Sequence, residues 1–159
     1  MNRKTALAAL LCCLAAASLA AAESPASGSV TFDADLARRL GADDRGMKMY
    51  VLCILRTGPR DGEIKGKERD EIFAGHFANI SRLADEGMLA VAGPFGKNDK
   101  QWRGLYVFNV PKVEEAEKLV VSDPAVRAGI FVPELVPWYG SAAMMTVPET
   151  HKKLQKPKQ

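Results

Sequence analysis

Cysteine and histidine are scarce in this chain of 159 residues, which contains three cysteines and two histidines. Cys12 and Cys13 lie near the amino terminus, so Cys53 is the only cysteine in the rest of the chain. A single cysteine cannot form an intramolecular disulfide, and no cysteine pair here has the spacing of a zinc site. His76 and His151 are too far apart for a local metal-ligand motif. The sequence therefore predicts neither a disulfide framework nor a metal site.

An excess of charge of one sign is also lacking. The formal net charge is +3, and it falls to about +1 if the amino-terminal segment with Arg3 and Lys4 is removed. The remaining basic residues do not gather into a run that could follow a nucleic-acid groove. No glycine-rich loop of the phosphate-binding kind is present. We therefore expect no nucleic-acid partner and no cofactor.

Residues 1–22 have the pattern of a secretory signal peptide. A short positive start precedes an apolar run rich in Ala and Leu, and Ala20-Ala21-Ala22 supplies a small-residue cleavage site before Glu23. The apolar run is short for a bilayer-spanning helix. Leucines precede Cys12 and Cys13, where a lipid attachment site would have a small residue, so cleavage is favoured over lipidation. The sequence predicts a periplasmic or secreted protein without membrane attachment after cleavage.

The rest of the chain divides into three parts by composition. Residues 23–46 form a small, polar linker followed by a short helical arm, which Asp33 would cap. Residues 47–139 form the main domain. Residues 140–159 form a basic tail, which we expect either to extend along a partner or to be a mobile end.

The main domain alternates apolar runs with amphipathic stretches. We predict strands at 49–55, 88–92, 104–110 and 129–138, and helices at 70–86 and after Pro111. This order indicates an α+β fold of the ferredoxin-like βαββαβ type, with a four-stranded antiparallel sheet and two helices on one face. Pro133 within the last strand requires an edge position or a bulge.

The predicted sheet has an apolar face that the two helices leave open. The first and third strands are apolar at nearly every position, and the sequence pattern predicts no further element that could cover that face. A second copy of the sheet is the simplest cover, so we predict a homodimer that packs through its sheet faces. Trp138 and Tyr139 at the end of the last strand are expected at the subunit interface.

His76 and Asp123 are the candidate catalytic residues. His76 falls on the apolar face of the helix at 70–86, where it is either satisfied as a core residue or functional. Asp123 before Pro124 is typical of a helix cap, with Asp at the N-cap and Pro in the first turn. If Asp123 also faces His76, its carboxylate would fix the imidazole tautomer and make His76 a general base.

Phe95, Trp102 and Arg103 flank the predicted turn between the second and third strands. Trp102 either packs in the core or at the dimer interface, or forms a wall of an apolar pocket. Arg103 could hold an anion at that pocket. These three are the candidate substrate-binding residues. Cys53 lies in an apolar strand and is interpreted as a small buried hydrophobic residue.

The chain resembles the YCII-like family of the dimeric α/β-barrel superfamily over residues 47–139. The resemblance rests on the order and spacing of four features, namely His76 on the first helix, Leu83-Ala-Asp-Glu-Gly87, Ala92-Gly-Pro94 and Asp123-Pro-Ala-Val-Arg-Ala-Gly129. It implies a ferredoxin-like dimer with a cleft that contains a histidine–aspartate pair, and the matching positions here are His76 and Asp123.

Few members of the family have an assigned reaction. One branch resembles dehydrochlorinases of chlorinated hydroxyquinols, and related barrels include lactone isomerases and small monooxygenases. The signal peptide and the helical arm depart from the simplest members, which favours an exported role over a cytosolic catabolic one.

Two hypotheses of function follow. In the first, the protein is a cofactor-independent enzyme that acts on a small cyclic or aromatic substrate by elimination, isomerisation or hydrolysis. His76 is then the base, Asp123 orients it, and Arg103 or a backbone donor stabilises negative charge. In the second, the protein is a dimeric small-molecule-binding or structural protein without turnover, and the pair is structural.

Overall fold

A computed structural model describes residues 31–156, and the predicted signal peptide (1–22) lies outside them. The helices are α1 (Ala34–Leu40), α2 (Gly66–Asp85), α3 (Val113–Val120), α4 (Pro124–Arg127) and α5 (Val147–Leu154). The strands are β1 (Met47–Thr57), β2 (Leu89–Pro94), β3 (Trp102–Phe108) and β4 (Phe131–Ser141), and a 3₁₀ turn spans Ala142–Thr146.

The four strands form one antiparallel sheet in the order β2-β3-β1-β4. The two central strands are therefore β1 and β3, whose sequences are the most continuously apolar. Pro133 lies in β4, which is an edge strand, so its missing N–H breaks no central ladder. The predicted α+β, ferredoxin-like arrangement is confirmed.

Helix α2 begins four residues before the predicted start at Asp70. Its first turn has no apolar periodicity to mark it, and it is held by polar contacts. Lys67 lies 3.8 Å from Glu71, and Arg69 reaches back to Asp61 in the preceding loop at 2.7 Å. At the other end Gly87 has a φ of 71°, the left-handed conformation that glycine adopts without strain. The predicted stop at Gly87 is therefore present.

The hairpin of β2 and β3 is displaced from its predicted bounds. The turn is shorter than the polar sequence suggests, because the Asn98 side chain closes it. Asn98 Oδ1 accepts hydrogen bonds from the backbone of Lys100 and Trp102, and its Nδ2 donates to the carbonyls of Gly96 and Trp102. Trp102 and Arg103 consequently belong to β3.

Helices α2, α3 and α4 cover one face of the sheet. The core between them combines Val51, Cys53 and Leu55 of β1 with Tyr106 and Phe108 of β3, all buried. This is the face toward which His76 and Asp123 also turn.

The opposite face of the sheet is partly covered by the chain's own carboxyl-terminal segment. Met144 and Met145 of the 3₁₀ turn pack against Tyr50, Ala90 and Val107, which are buried. The expectation that no element remains for this face is therefore wrong, since residues 142–146 of the predicted tail pack against the sheet of the same chain. The sequence does not predict the packing of Met144 and Met145 on the sheet, because a five-residue 3₁₀ turn is too short to show a periodic pattern.

Among the described residues, nothing covers part of that face on β4. Val132, Val136 and Trp138 are 45%, 41% and 37% exposed there, and Glu134 lies between the two valines on the same side of the strand. Within residues 31–156, no helix is long and apolar enough to cross a membrane.

Candidate active site

Helix α2 places His76 in an aromatic surround between the helix and the sheet. The residue is only 7% exposed. Its ring centre lies 5.6 Å from that of Phe73, 5.5 Å from Phe131 and 6.1 Å from Tyr106. The neighbouring Gly75 allows this approach, because a Cβ at that position would lie 3.0 Å from Pro124 of α4. The small residue thus lets α2 and α4 come close together.

Asp123 at the start of α4 is fully buried and acts as cap and partner at once. Its Oδ1 accepts a hydrogen bond from the backbone N–H of Ala125 at 2.9 Å, which is the N-cap contact. Its Oδ2 lies 2.8 Å from Nδ1 of His76. The two sequence interpretations of Asp123 are therefore compatible, since each uses a different oxygen. The structure brings His76 and Asp123 together.

Tyr106 is a third member of this cluster that the sequence analysis missed. It lies on β3 and is 2% exposed. Its hydroxyl donates to Oδ2 of Asp123 at 2.8 Å and lies 3.3 Å from Nδ1 of His76. In sequence, Tyr106 is one apolar residue in the strand Leu105-Tyr-Val-Phe, so nothing distinguishes it from ordinary core. Only the tertiary structure shows what its hydroxyl contacts.

The hydrogen bonds to Asp123 keep its carboxylate ionised. Burial acts to raise the pKa of Asp123, but the contacts with His76, Tyr106 and the Ala125 backbone outweigh it and lower that pKa below the usual carboxyl range. The Tyr106 hydroxyl keeps its proton and donates it to Asp123, because burial and the neighbouring carboxylate raise the pKa of Tyr106 far above its ordinary value. A buried anion with three donors is the result.

A charged Asp123 determines the tautomer of His76. A carboxylate can only accept, so Nδ1 must carry a proton and donate it to Oδ2. In the neutral ring the lone pair is then on Nε2. Within the described residues, every side-chain hydrogen bond of His76 is made by Nδ1. The geometry leaves Nε2 as a free acceptor.

His76 lines a cavity of about 490 Å³ between α2 and the β2–β3 hairpin. Its aromatic lining residues are Phe73, Phe77, Phe95, Tyr106 and Phe131. Ile80, Leu55 and Ala92 add aliphatic surface, while His76 and Arg103 supply the charged or titratable groups. A mostly apolar pocket with a few convergent polar groups is typical of a small-molecule site.

Arg103 lies in the cavity wall and is held there by an ion pair with Asp61. Its Nη1 donates to Asp61 Oδ2 at 2.8 Å, and Arg69 donates to the other oxygen of Asp61 at 2.7 Å. The guanidinium also faces the ring of Phe131 at 5.6 Å. Burial would raise the pKa of Asp61, but the two arginines lower it below the ordinary carboxyl value. Arg103 thus has one nitrogen engaged and, within the described residues, no hydrogen bond from the others.

The other two predicted binding residues, Phe95 and Trp102, differ in their position relative to the cavity. Phe95 lines the cavity, whereas Trp102 does not. The Trp102 ring instead packs against Phe95 at 5.3 Å and carries Lys100 over its face at 4.7 Å. The pairing of β3 with β1 shifts register between Leu55 and Arg56, opposite Arg103, and this irregularity lets Arg103 line the same cavity as Tyr106. Trp102 therefore supports a wall residue and does not form the wall.

Cys53 is buried beneath the site on β1. Burial, with a smaller contribution from the Asp123 charge, raises the pKa of its thiol to about 12. A thiol so poorly ionised is unreactive, in agreement with the interpretation of Cys53 as a small hydrophobic residue. In the part of the chain with described coordinates, no group of three potential metal ligands occurs.

Comparison with known proteins identifies the domain. The sequence model of the YCII-related domain matches residues 49–139, which include His76, Tyr106 and Asp123. The chain belongs to the YCII family. No curated protein matches this YCII-family chain.

One of the solved structures similar to this YCII-family member is 5-chloro-2-hydroxyhydroquinone dehydrochlorinase from Burkholderia phenoliruptrix AC1100, in complex with 2,5-dihydroxybenzoquinone. The two sequences are 21% identical, and the TM-score is 0.37. The similarity covers 55% of this chain and 90% of that one.

Proposed function

We propose that this protein is an exported enzyme that uses the His76–Asp123 pair for acid–base chemistry on a small cyclic or aromatic substrate, without a cofactor. The observation that carries the proposal is the 2.8 Å contact of Nδ1 with the buried carboxylate, at the wall of a cavity. It leaves Nε2 unpartnered among the described residues, which is the arrangement a general base requires.

In this proposal Nε2 of His76 removes a proton from a carbon or oxygen of the bound substrate. The imidazolium that forms is stabilised by Asp123, whose charge lies within hydrogen-bond distance of Nδ1. Because the pair is nearly excluded from water, this attraction is screened less than it would be at the surface. His76 can then return the proton to another substrate atom or to the leaving group.

Arg103 stabilises the negative charge that proton removal leaves on the substrate. The Asp61 bridge fixes the orientation of its guanidinium in advance, so little reorganisation accompanies the reaction. In elimination and isomerisation this charge follows proton removal from the substrate, whereas in hydrolysis His76 would take the proton from a water molecule and the charge would follow the addition of that water. The proposal covers these three reaction types.

The cavity limits the substrate class. Its volume of about 490 Å³ suits a small molecule of one or two rings. Phe73, Phe77 and Phe131 offer flat apolar surfaces on which such a ring can pack. A polar hydrogen toward His76 and an oxygen toward Arg103 would complete the fit.

The test is a ligand screen of the mature protein against small phenols, quinols, lactones and keto acids, with thermal shift and turnover as readouts. Three proteins are compared, namely wild type, H76Q and H151Q. Gln at position 76 retains a donor toward Asp123 but has no basic nitrogen, and His151 is an exposed residue of α5. We expect ligands that are turned over by wild type and H151Q, and bound without turnover by H76Q.

The opposite result favours a structural role. If no compound shifts the midpoint of any protein, and H76Q alone melts several degrees lower, the pair holds the fold together and the protein has no turnover. A ligand that binds all three proteins equally and is never converted would make the chain a small-molecule-binding protein.

We also propose that two copies of the chain associate through the open part of the outer sheet face. The exposed side chains of Val132, Val136 and Trp138 support this, because apolar groups on an edge strand are unfavourable in water. The proposed contact lies on β4, since the 3₁₀ turn already packs against residues of β1, β2 and β3.

A further inference from the structure

We propose that Tyr106 is a positioning residue for the proposed general base, and that it sets the state of the proton on Nδ1 of His76 by acting through Asp123. The inference rests on the proposed function of His76. It assigns to Tyr106 a role beyond the hydrophobic core to which its strand belongs.

Two donors converge on one oxygen in this cluster. The Nδ1 atom of His76 and the hydroxyl oxygen of Tyr106 both lie 2.8 Å from Oδ2 of Asp123. The donor atoms are 3.3 Å from each other, which is the separation expected for two groups that share an acceptor. Because each donor draws electron density from the same oxygen, a stronger bond from one weakens the bond from the other.

Asp123 cannot turn away from this arrangement. Its second oxygen, Oδ1, is fixed by the backbone N–H of Ala125 at the start of α4. Rotation of the carboxylate would break the cap, and the residue has no solvent-exposed surface through which water could replace that bond. The balance at Oδ2 is therefore set by Tyr106 and His76 alone.

The tyrosine hydroxyl weakens the hydrogen bond that Oδ2 of Asp123 accepts from Nδ1–H of His76. Without it, Oδ2 would have His76 as its only donor, and the hydrogen bond from Nδ1–H to Oδ2 would become shorter and stronger. With it, the carboxylate pulls less on the Nδ1 proton and the ring is less electron-rich, so Tyr106 limits the basicity of the Nε2 lone pair that faces the cavity. Tyr106 thus acts on the base without touching the substrate proton.

The experiment is ¹H–¹⁵N NMR of the histidine side chains in wild type, Y106F and Y50F. The sequence has only two histidines, so the H76Q spectrum assigns His76 directly. Tyr50 is the matched control, because it is also buried and its hydroxyl donates to the Ser141 carbonyl on the other face of the sheet. Each variant removes one buried hydroxyl, but only one of them contacts Asp123.

We expect the Nδ1–H proton of His76 to move downfield in Y106F and to remain at its wild-type position in Y50F. Incorporation of 3-fluorotyrosine into the wild-type chain gives a second measurement that deletes no group, and it covers the case in which Y106F does not fold. Fluorination makes the hydroxyl a stronger donor, so the same proton should move upfield.

A Nδ1–H resonance that stays unchanged in both Y106F and the fluorinated protein would overturn the proposal and leave Tyr106 a core residue. This readout needs no substrate. A failure of the ligand screen would therefore contradict the catalytic role of His76, while the NMR result would still decide what Tyr106 does to the pair.

Discussion

His76 and Asp123 are joined by a hydrogen bond of 2.8 Å, and the two residues are only 7% and 0% exposed. The contact links the middle of α2 to the start of α4, so one interaction joins a helix packing site, a helix cap and the wall of a cavity. A change at either residue should therefore have both a stability and a functional consequence.

The first prediction concerns acid stability. The pKa of Asp123 is lowered in the folded protein, so its stabilising contribution is complete above the ordinary carboxyl value of 3.8 and is lost as the pH falls through the folded value. D123N should be destabilised by about 3 kcal/mol near neutral pH, because one partner of a buried pair is altered.

The measurement is the thermal midpoint of wild type and D123N between about pH 7 and about pH 3. The gap between the two proteins should narrow as the pH falls. A gap that stays constant would mean that the Asp123 charge contributes nothing to folding. D35N is the matched control, because Asp35 is an exposed carboxylate of α1.

The second prediction concerns the anion site. R103Q should weaken the binding of any anionic ligand found in the screen by about ten- to hundredfold, the loss expected for one charge-assisted hydrogen bond. R69Q is the control that separates two causes, since Arg69 shares the Asp61 bridge but does not line the cavity. An equal loss in R69Q, measured by calorimetry, would indicate that the bridge matters and that Arg103 makes no contact of its own.

The fold could be predicted from the sequence where the signal is local. Apolar runs predict the strands, helical periodicity predicts most of α2, and Gly87 and Asp123-Pro124 mark helix ends through backbone chemistry that acts within a few residues. The covering of Tyr50 by Met144 and Met145 could not be predicted this way. That contact joins the two ends of the domain, and no local pattern encodes it.

The site follows the same division. His76 is conspicuous in sequence because a titratable residue interrupts an apolar face, and Asp123 because it precedes a proline. Their meeting across 47 residues of sequence is a tertiary fact. Tyr106 carries no such signal, because an aromatic residue in a strand is ordinary, and Asp61 is one of many polar residues in a glycine-rich loop.

The third prediction concerns assembly. V136D places a charge among the exposed apolar side chains of β4, and it should convert the proposed dimer to a monomer in light scattering coupled to gel filtration. V121D is the matched control, because Val121 is 55% exposed at the end of α3, away from the outer sheet face. A wild-type mass equal to that of one chain would contradict the dimer, as would dissociation by both variants.

The fourth prediction concerns export. Expression of the full chain in a bacterium should give a mature protein in the periplasm or medium whose amino terminus is Glu23. Intact mass spectrometry checks the cleavage point. A chain that keeps residues 1–22, or one that carries a lipid at Cys12 or Cys13, would contradict the signal-peptide interpretation.

The most direct test of the central claim is proton exchange at the base. A ligand from the screen that carries an acidic C–H is incubated in D₂O with wild type, H76Q or H151Q, and deuterium incorporation is followed by ¹H NMR. Wild type and H151Q should exchange the proton, and H76Q should do so more slowly by at least about a hundredfold. Equal exchange in H76Q and wild type would show that His76 is not the base.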